Sequence, residues 1–183
     1  MNEELINFIP GMKSLKHESL YLDTLVDKYR HRLENATIQQ SDGSFAVENN
    51  IRMCRTSYIK EVEEPGLFQM LMKEISSIAP SELGSLAFVN LLSYEVPGES
   101  HYNWHRDVLY ETDGKPGSRY ISFVLQMTEE SEYEGCDLQL DYISDLGCRE
   151  LYTLIVFPSR ERHRVTRLTA GIRRSIVGWI TLK

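Results

Sequence analysis

The sequence predicts a mainly β protein, a jelly roll, with N-terminal helices packed against the outside of one sheet. Two observations support this fold class. The first third of the chain contains two helical patterns of apolar residues, and from about Ser85 the chain becomes a series of short β-branched and aromatic runs separated by Gly and Pro. Many short strands at regular spacing are typical of β-sandwiches and barrels. The helices are therefore expected to support a β core.

Two helices and one strand are predicted in the first part of the chain. From Leu22, apolar residues recur every three or four positions and charged residues fill the others, which indicates a helix. A second helix follows Pro65-Gly66, and Pro80 is expected to end it because proline cannot continue the hydrogen-bond ladder. A strand is predicted at Ile51–Ile59.

The second part of the chain is predicted to contain a series of strands bounded by turn residues. These strands are Leu86–Tyr94, Tyr102–Asp107, Arg119–Met127, Asp137–Tyr142, Leu151–Phe157, Arg162–Thr166 and Ile172–Thr181. No Pro/Gly/Ser-rich linker divides the chain, so we expect a single domain over residues 1–183. Residues 1–84 would provide helical support and flanking strands, and residues 85–183 the β core that carries the candidate site. Gly114–Gly117 is expected to be a loop, either over a pocket or on the surface.

Composition disfavours several classes of partner. The chain has 183 residues, of which 42% are hydrophobic, so it can bury a core without disulfide bonds. With 20 Lys and Arg against 27 Asp and Glu, its net charge of −7 provides no overall attraction to nucleic acid or anionic membranes. Three cysteines without a CxxC pair argue against a disulfide framework or a structural zinc site. Because the sequence has no secretion signal and no long apolar run, we expect a cytoplasmic protein without membrane contact.

The segment His105-Arg106-Asp107 is the pattern that carries chemical information. If it lies in a strand, positions i and i+2 face the same side, so both ligand groups can point into the jelly roll. His163 follows in another predicted strand. Two imidazoles and one carboxylate on one side of a metal form the facial triad of non-haem Fe(II) sites. Taken alone, the His–Asp pair is equally well explained as a structural or surface feature.

Arg173 follows His163 closely, and Ser175 shares its strand face. Gly171 is expected to permit a hairpin that returns the chain beside His163. A buried arginine needs an anionic partner because an unpaired interior charge is costly. The C5 carboxylate of 2-oxoglutarate would suit the guanidinium while its 2-oxo acid end binds the metal. The alternatives for Arg173 are an internal Asp or Glu partner, or exposure on a basic surface.

Four motifs of the second half occur in succession along the chain. They are Tyr102-Asn103-Trp104-His105-Arg106-Asp107, Tyr120-Ile121-Ser122-Phe123, Tyr133-Glu134-Gly135-Cys136-Asp137-Leu138 and the block from Thr153 to Trp179. Together they resemble the motifs of the prolyl 4-hydroxylase alpha-subunit-like family of 2-oxoglutarate/Fe(II) dioxygenases. The resemblance covers the C-terminal half, and the N-terminal half matches only in general layout. Two departures are Cys136, where the family often has a second glycine, and Arg167-Leu168, where it often has Pro-Val.

The resemblance implies a double-stranded β-helix with His105, Asp107 and His163 as iron ligands and Arg173 as the 2-oxoglutarate anchor. It also implies oxidative decarboxylation of 2-oxoglutarate to succinate and CO2, coupled to hydroxylation of a C–H bond by dioxygen. The family favours a prolyl residue in a protein or peptide as substrate, and ascorbate is a candidate reductant. Asp107 favours hydroxylation over halogenation, because halogenating relatives have a small residue at this position.

Three further residues are candidates for binding 2-oxoglutarate. Ser175 follows Arg173 on the same strand face, and Tyr94 and Tyr102 match tyrosines that in relatives line the co-substrate or substrate pocket. The alternative for both tyrosines is packing at the rim or in the core. Trp104 and Trp179 are assigned to packing.

Two other functions stay open on sequence alone. One is hydroxylation of a free amino acid or another small metabolite by the same chemistry. The other is a non-catalytic jelly roll that holds a metal or ligand, against which Arg173 argues because a structural metal site needs no such cation. An acidic run at 129–145 and a basic run at 160–167 are expected to be solvated faces, or to steer a peptide substrate.

Overall fold

A computed structural model describes residues 10–40, 42–79, 83–108, 119–143 and 148–182. Two α-helices are present in this part of the chain, α1 (Ser19–Tyr29) and α2 (Pro65–Ser76). The predicted loop at Gly114–Gly117 and the predicted helix stop at Pro80 lie outside the described residues. Helix α2 ends at Ser76 because the amide and hydroxyl of Ser77 both donate to the carbonyl of Glu74.

The strands of the described residues are numbered in chain order. They are β1 (Gly11–Ser14), β2 (Glu34–Asn35), β3 (Ile38–Gln39), β4 (Phe45–Ala46), β5 (Arg52–Met53), β6 (Arg55–Ile59), β7 (Leu83–Tyr94), β8 (His101–His105), β9 (Ile121–Gln126), β10 (Tyr133–Gly135), β11 (Leu138–Leu140), β12 (Thr153–Pro158), β13 (His163–Val165), β14 (Leu168–Gly171) and β15 (Arg173–Leu182).

Two antiparallel sheets form the β core. The major sheet has the strand order β1-β12-β9-β15-β7-β6-β2, and the minor sheet has the order β11-β13-β8-β5. Strands β10 and β14 form a separate ladder, as do β3 and β4. Buried residues of the major and minor sheets share one apolar cluster, so the two sheets face each other. The predicted jelly roll is confirmed.

The two faces of the major sheet belong to different cores. In β9, Phe123 and Leu125 pack with both helices in one cluster, whereas Val124 packs with the minor sheet in the other. This alternation follows from the two-residue side-chain period of a strand, and it makes all of β9 buried. The prediction that the N-terminal helices cover the outside of one sheet is confirmed. The expectation of one domain over residues 1–183 stays a prediction.

A polar cluster joins the two helices on this outer side. Glu64, at the N-terminal end of α2, is buried and lies 2.5 Å from the ammonium of Lys28 on α1. It also accepts a hydrogen bond from the Tyr21 hydroxyl, while the Tyr29 hydroxyl donates to the neighbouring Glu63. Because the buried carboxylate is paired and hydrogen-bonded, it can be removed from water without a large penalty.

Three predicted strand boundaries are wrong. The predicted strand Ile51–Ile59 is two strands that belong to different sheets, β5 in the minor and β6 in the major sheet. The predicted strand Tyr102–Asp107 ends at His105. The predicted strand Ile172–Thr181 is preceded by the unexpected β14, which pairs with β10. The first and third differences arise because the chain changes its partner strand there, which local composition does not show.

Gly171 does not form the expected hairpin beside His163, because the chain crosses here from β14 to the major sheet. Its φ is 72°, and a Cβ atom would overlap the carbonyl oxygen of Glu132 on the neighbouring backbone. Glycine is therefore required by close backbone contact. Cys136, which stands where relatives often have glycine, has a φ of 57° in the same left-handed region.

Gly171→Ala is expected to lower the free energy of unfolding by about 3 kcal/mol, because the methyl group meets fixed backbone. The matched control is Gly43→Ala, where φ is 84° but no atom lies near the added methyl group. That substitution carries only the left-handed backbone penalty of about 1 kcal/mol. Urea unfolding of both variants measures the difference, and equal losses would contradict the close-contact explanation.

Candidate metal and co-substrate site

Strand pairing brings the two predicted histidine ligands together. His105 ends β8 and His163 begins β13, and the two residues are direct partners in the antiparallel register. Asp107 lies two residues beyond β8, where its amide donates to the carbonyl of Ser159 at 2.9 Å. The expected strand alternation therefore does not position Asp107. A backbone hydrogen bond to the segment after β12 does.

The three ligand groups converge on one point. Asp107 Oδ1 lies 3.4 Å from His105 Nε2, and Asp107 Oδ2 lies 3.4 Å from His163 Nε2. One ligand atom from each residue lies within 4.8 Å of the other two. Two imidazole nitrogens and a carboxylate are the donor set of a mononuclear non-haem iron site. The assignment of these residues as iron ligands stays a prediction from the sequence, and this geometry fits it.

The orientation of each histidine ring is fixed by a hydrogen bond at Nδ1, the nitrogen that faces away from Asp107. His105 Nδ1 lies 2.8 Å from the carbonyl oxygen of Asn103, and His163 Nδ1 lies 2.9 Å from that of Glu161. Because a carbonyl only accepts, Nδ1 must carry the proton, which leaves Nε2 with its lone pair for a metal. Asp107 is oriented in a similar way, since its Oδ2 accepts a hydrogen bond from the Ser122 hydroxyl at 2.7 Å.

Electrostatics favour the metal-binding protonation state of His105 and Asp107, whereas in the metal-free site the Asp107 carboxylate favours a protonated His163. Burial lowers the pKa of His105, which favours the neutral ring. Burial alone would also lower the pKa of His163, but the Asp107 carboxylate raises it overall. Burial opposes ionisation of Asp107, yet the charge of His163 and hydrogen bonds from both imidazoles hold its pKa well below the usual range. Asp107 is therefore an ionised carboxylate between two imidazoles.

Aromatic side chains fix the two imidazoles from the sides. The Tyr102 ring stacks on His105 with 3.5 Å between centroids, and the Phe157 ring meets His163 edge-on at 4.8 Å. Burial raises the pKa of Tyr102 to about 12, so its hydroxyl stays neutral. Tyr102 thus contacts a candidate ligand directly, and its predicted role in binding 2-oxoglutarate stays a prediction.

Arg173 begins β15 and is only 1% exposed. Its Nη2 donates to Gln126 Oε1 at 2.8 Å, while its Nε has no hydrogen-bond partner in the part of the chain that the structure describes. No carboxylate of the described residues pairs with it, so the alternative of an internal Asp or Glu partner finds no support in this part of the chain. Exposure on a basic surface is excluded by burial. Tyr94 is its direct partner across the sheet, with the ring centre 5.8 Å from the guanidinium.

A cavity of about 1170 Å³ connects these groups. It is lined by the three candidate metal ligands together with Arg173, Ser175, Tyr94 and Tyr102. The Ser175 hydroxyl is buried and has no hydrogen-bond partner within the described ranges. Buried donors without partners are costly, so an unpaired guanidinium nitrogen and hydroxyl in one cavity fit an anionic ligand such as a carboxylate.

Sequence reasoning missed Gln126, whose side-chain amide accepts a hydrogen bond from Arg173. Its Nε2 donates to the carbonyl of Cys148, which fixes the amide while Oε1 accepts from the guanidinium. The available signal was a polar amide that ends the otherwise apolar run of β9. Trp179 packs on the inter-sheet core as expected and also lines the cavity, where the Arg119 guanidinium lies 4.0 Å from its ring.

Two residues of the acidic run pair with arginines, one of which belongs to the basic run. Arg162 lies 3.5 Å from Asp141, and Arg149 lies 3.1 Å from Asp137. Trp104 packs under the guanidiniums of Arg162 and Arg164 and does not line the cavity. These contacts are those of ordinary solvated faces, and steering of a peptide substrate by them stays a prediction.

Comparison with known proteins identifies the family of this chain. The sequence profile described as the 2OG-Fe(II) oxygenase superfamily matches residues 89–181, which is half of the chain. The chain belongs to this superfamily. The matched segment includes the His–Asp motif, His163 and Arg173, and the predicted resemblance to prolyl 4-hydroxylase-like oxygenases is confirmed. Members of the superfamily use Fe(II) and 2-oxoglutarate, as its name states.

Curated relatives include several PKHD-type hydroxylases. A PKHD-type hydroxylase of Synechococcus sp. (strain CC9311) is 38% identical over 84 residues, covering 45% of this chain and 37% of the relative. A PKHD-type hydroxylase of Prochlorococcus marinus (strain MIT 9515) is 24% identical over 185 residues, covering 96% and 78%. The alignments with the most similar of these relatives span only about a third of the relatives' length.

Solved structures share the fold of the whole chain. A Pseudomonas putida prolyl-4-hydroxylase superposes with a TM-score of 0.70 at 20% identity, covering 98% of this chain and 96% of the other. A Trichoplax adhaerens prolyl hydroxylase, solved with a peptide fragment of hypoxia inducible factor, gives 0.72 at 14% identity, covering 98% and 86%. At these identities the likeness establishes the jelly roll and nothing finer. None of the helices in the described ranges has the length and apolarity to span a bilayer.

Asp107→Ala is expected to weaken binding of Fe(II) or Co(II) by at least about tenfold, because it removes the anionic ligand. Anaerobic titration followed by the Co(II) absorption spectrum measures this. The matched control is His31→Ala, which removes an exposed histidine from the short helix after α1. Unchanged metal affinity in Asp107→Ala would contradict the assignment of the triad.

Proposed function

We propose that this chain is a 2-oxoglutarate- and Fe(II)-dependent dioxygenase that hydroxylates a prolyl residue in a protein or peptide. The observation that carries the proposal is one cavity that contains both the Asp107–histidine cluster and a buried arginine that has no carboxylate partner among the described residues. The superfamily supports the cofactor and the co-substrate. The prolyl substrate is supported by the names of the relatives and of the solved structures.

The residues divide into two groups by what they would hold. His105 Nε2, His163 Nε2 and the Asp107 carboxylate would hold Fe(II), and Arg173 with Ser175 would hold the distal carboxylate of 2-oxoglutarate. When bound together, Fe(II) and 2-oxoglutarate supply the oxidation of a C–H bond by dioxygen, with release of succinate and CO2. Ascorbate as a reductant stays a prediction.

The chain itself contributes orientation and exclusion of water. The carbonyls of Asn103 and Glu161 keep both Nε2 atoms aimed at one point, and the Ser122 hydroxyl fixes the rotation of the Asp107 carboxylate. Apolar side chains of the inter-sheet core line the same cavity, among them Val124, Leu138, Phe157, Val165 and Val177. An apolar lining lowers the local dielectric constant, which strengthens the attraction between Arg173 and an anionic co-substrate.

Arg173→Ala is expected to raise the KM for 2-oxoglutarate by about 30-fold or more, because the co-substrate loses its buried countercharge. Fe(II) affinity is expected to stay near that of the wild type. Succinate release at varied 2-oxoglutarate, beside the anaerobic metal titration, separates the two effects. Arg173→Lys serves as the second variant, since lysine keeps the positive charge but lacks the planar guanidinium that can bind both oxygens of a carboxylate. A wild-type KM in Arg173→Ala would contradict the assignment.

Gln126→Leu is expected to raise the KM for 2-oxoglutarate about fivefold to tenfold with kcat retained, because Arg173 loses a hydrogen bond that orients it. The matched control is Gln139→Leu, since Gln139 Oε1 also accepts from an arginine, Arg164, at 2.8 Å but outside the cavity. Steady-state kinetics measure both variants. An equal effect of the two substitutions would show that Gln126 acts only through stability.

The function itself is tested by incubating the Fe(II)-loaded protein with 2-oxoglutarate, air and prolyl peptides. We expect succinate, and a gain of one oxygen atom on proline detected by mass spectrometry. A folded protein that binds iron but never decarboxylates 2-oxoglutarate would be a binding module. Free amino acids are offered in a parallel incubation. If they gain oxygen and the peptides do not, the substrate is a small metabolite and not a peptide.

A further inference from the structure

The cavity lining contains a second arginine, Arg52, which the proposed function does not assign to iron or 2-oxoglutarate. Arg52 lies on β5, opposite Tyr102 in the register of the minor sheet. Its guanidinium carbon is 4.8 Å from the centre of the Tyr102 ring, and that ring stacks on His105. The guanidinium therefore lies one aromatic ring away from a candidate iron ligand, and it lines the same cavity.

The partners of Arg52 do not neutralise it. Its Nε donates to the Cys54 thiol at 3.3 Å, and no carboxylate of the described residues forms an ion pair with it. The nearby Arg55 is different, since its guanidinium lies 3.2 Å from Glu95. Asp42 also lines the cavity, but its carboxylate accepts hydrogen bonds from the amide and hydroxyl of Ser44.

The loaded site would leave this charge uncompensated. A ferrous ion, the Asp107 carboxylate, doubly charged 2-oxoglutarate and the Arg173 guanidinium add up to no net charge. Arg52 is then a positive charge in the lining of the cavity that no ion of this loaded site balances. Positive charge focused in a cleft attracts an anionic substrate.

We propose that Arg52 binds a carboxylate of the primary substrate, which makes the substrate an acidic one. The inference rests on the proposed function, because it assigns the substrate that reaches the iron. The Arg52 guanidinium lies over the Tyr102 ring, and the two parallel N–H groups of a guanidinium match the two oxygens of a carboxylate. Such a carboxylate is supplied either by an Asp or Glu side chain beside the proline or by a free chain terminus.

The probes are capped prolyl peptides in matched pairs, with Asp or Asn, or Glu or Gln, on either side of the proline. A second set carries a free C-terminal carboxylate or its amide, which distinguishes the two sources. Calorimetry under anaerobic conditions with Fe(II) and 2-oxoglutarate measures binding without turnover. We expect one acidic series to bind the wild type about 10- to 100-fold more tightly than its amide counterpart.

Arg52→Gln is expected to reduce that preference to less than about threefold while binding of the amide peptides is retained. Arg52→Lys is expected to keep part of the preference, since it retains charge but not the fork. The matched control is Arg32→Gln, because Arg32 also lies over a tyrosine, 5.1 Å from the Tyr29 ring, but outside the cavity lining. It is expected to keep the full preference.

Two results would overturn the inference. In the first, the wild-type protein shows no preference for any acidic probe over its amide counterpart. This covers both the case in which the two members of a pair bind equally and the case in which neither binds. In the second, Arg52→Gln weakens the binding of acidic and amide probes equally. Succinate release by the wild type without peptide tests the proposed function separately. If that release is absent while the acidic preference follows Arg52, the proposed chemistry fails and the anion site stands.

Discussion

The antiparallel pairing of β8 with β13 is the constraint on which the candidate site depends. It places His105 directly opposite His163 although the two are far apart in the chain. The same strand β8 pairs on its other side with β5, which adds Arg52 opposite Tyr102. One short strand thus aligns two imidazoles, the aromatic ring that stacks on one of them and a second arginine of the cavity. A slip by one residue would turn these side chains to the outer face of the minor sheet.

The major sheet contributes the opposite wall and the countercharge. Arg173 and Ser175 on β15 and Gln126 on β9 point between the sheets because alternate residues of these strands face the same side. The helices are needed on the other face, where the remaining residues of β9 and β15 would otherwise meet water. Burial on both faces makes the major sheet a rigid support for a buried charge.

Much of this arrangement could be predicted from the sequence, and the limits have physical causes. Helix α1 was predictable because one stripe of it, including Leu25 and Tyr29, is buried in a single core. The three residues of the metal cluster were predictable because their types are chemically specific. Strand β14 and the break between β5 and β6 were not, because they depend on partners distant in sequence. Gln126 was missed for the same reason, since only the fold brings its amide to Arg173.

The hydrogen bonds from His105 and His163 to carbonyls two residues earlier have a consequence for metal selection. Since these bonds are local, both rings are oriented without any ion, and binding requires little reorganisation of the protein. Such a preformed three-ligand site discriminates weakly between divalent ions of the first transition row, whose intrinsic affinities rise from iron to copper. If these residues hold Fe(II) as proposed, correct metallation depends on the supply of free ions around the protein, and zinc or copper in excess is expected to compete for the site.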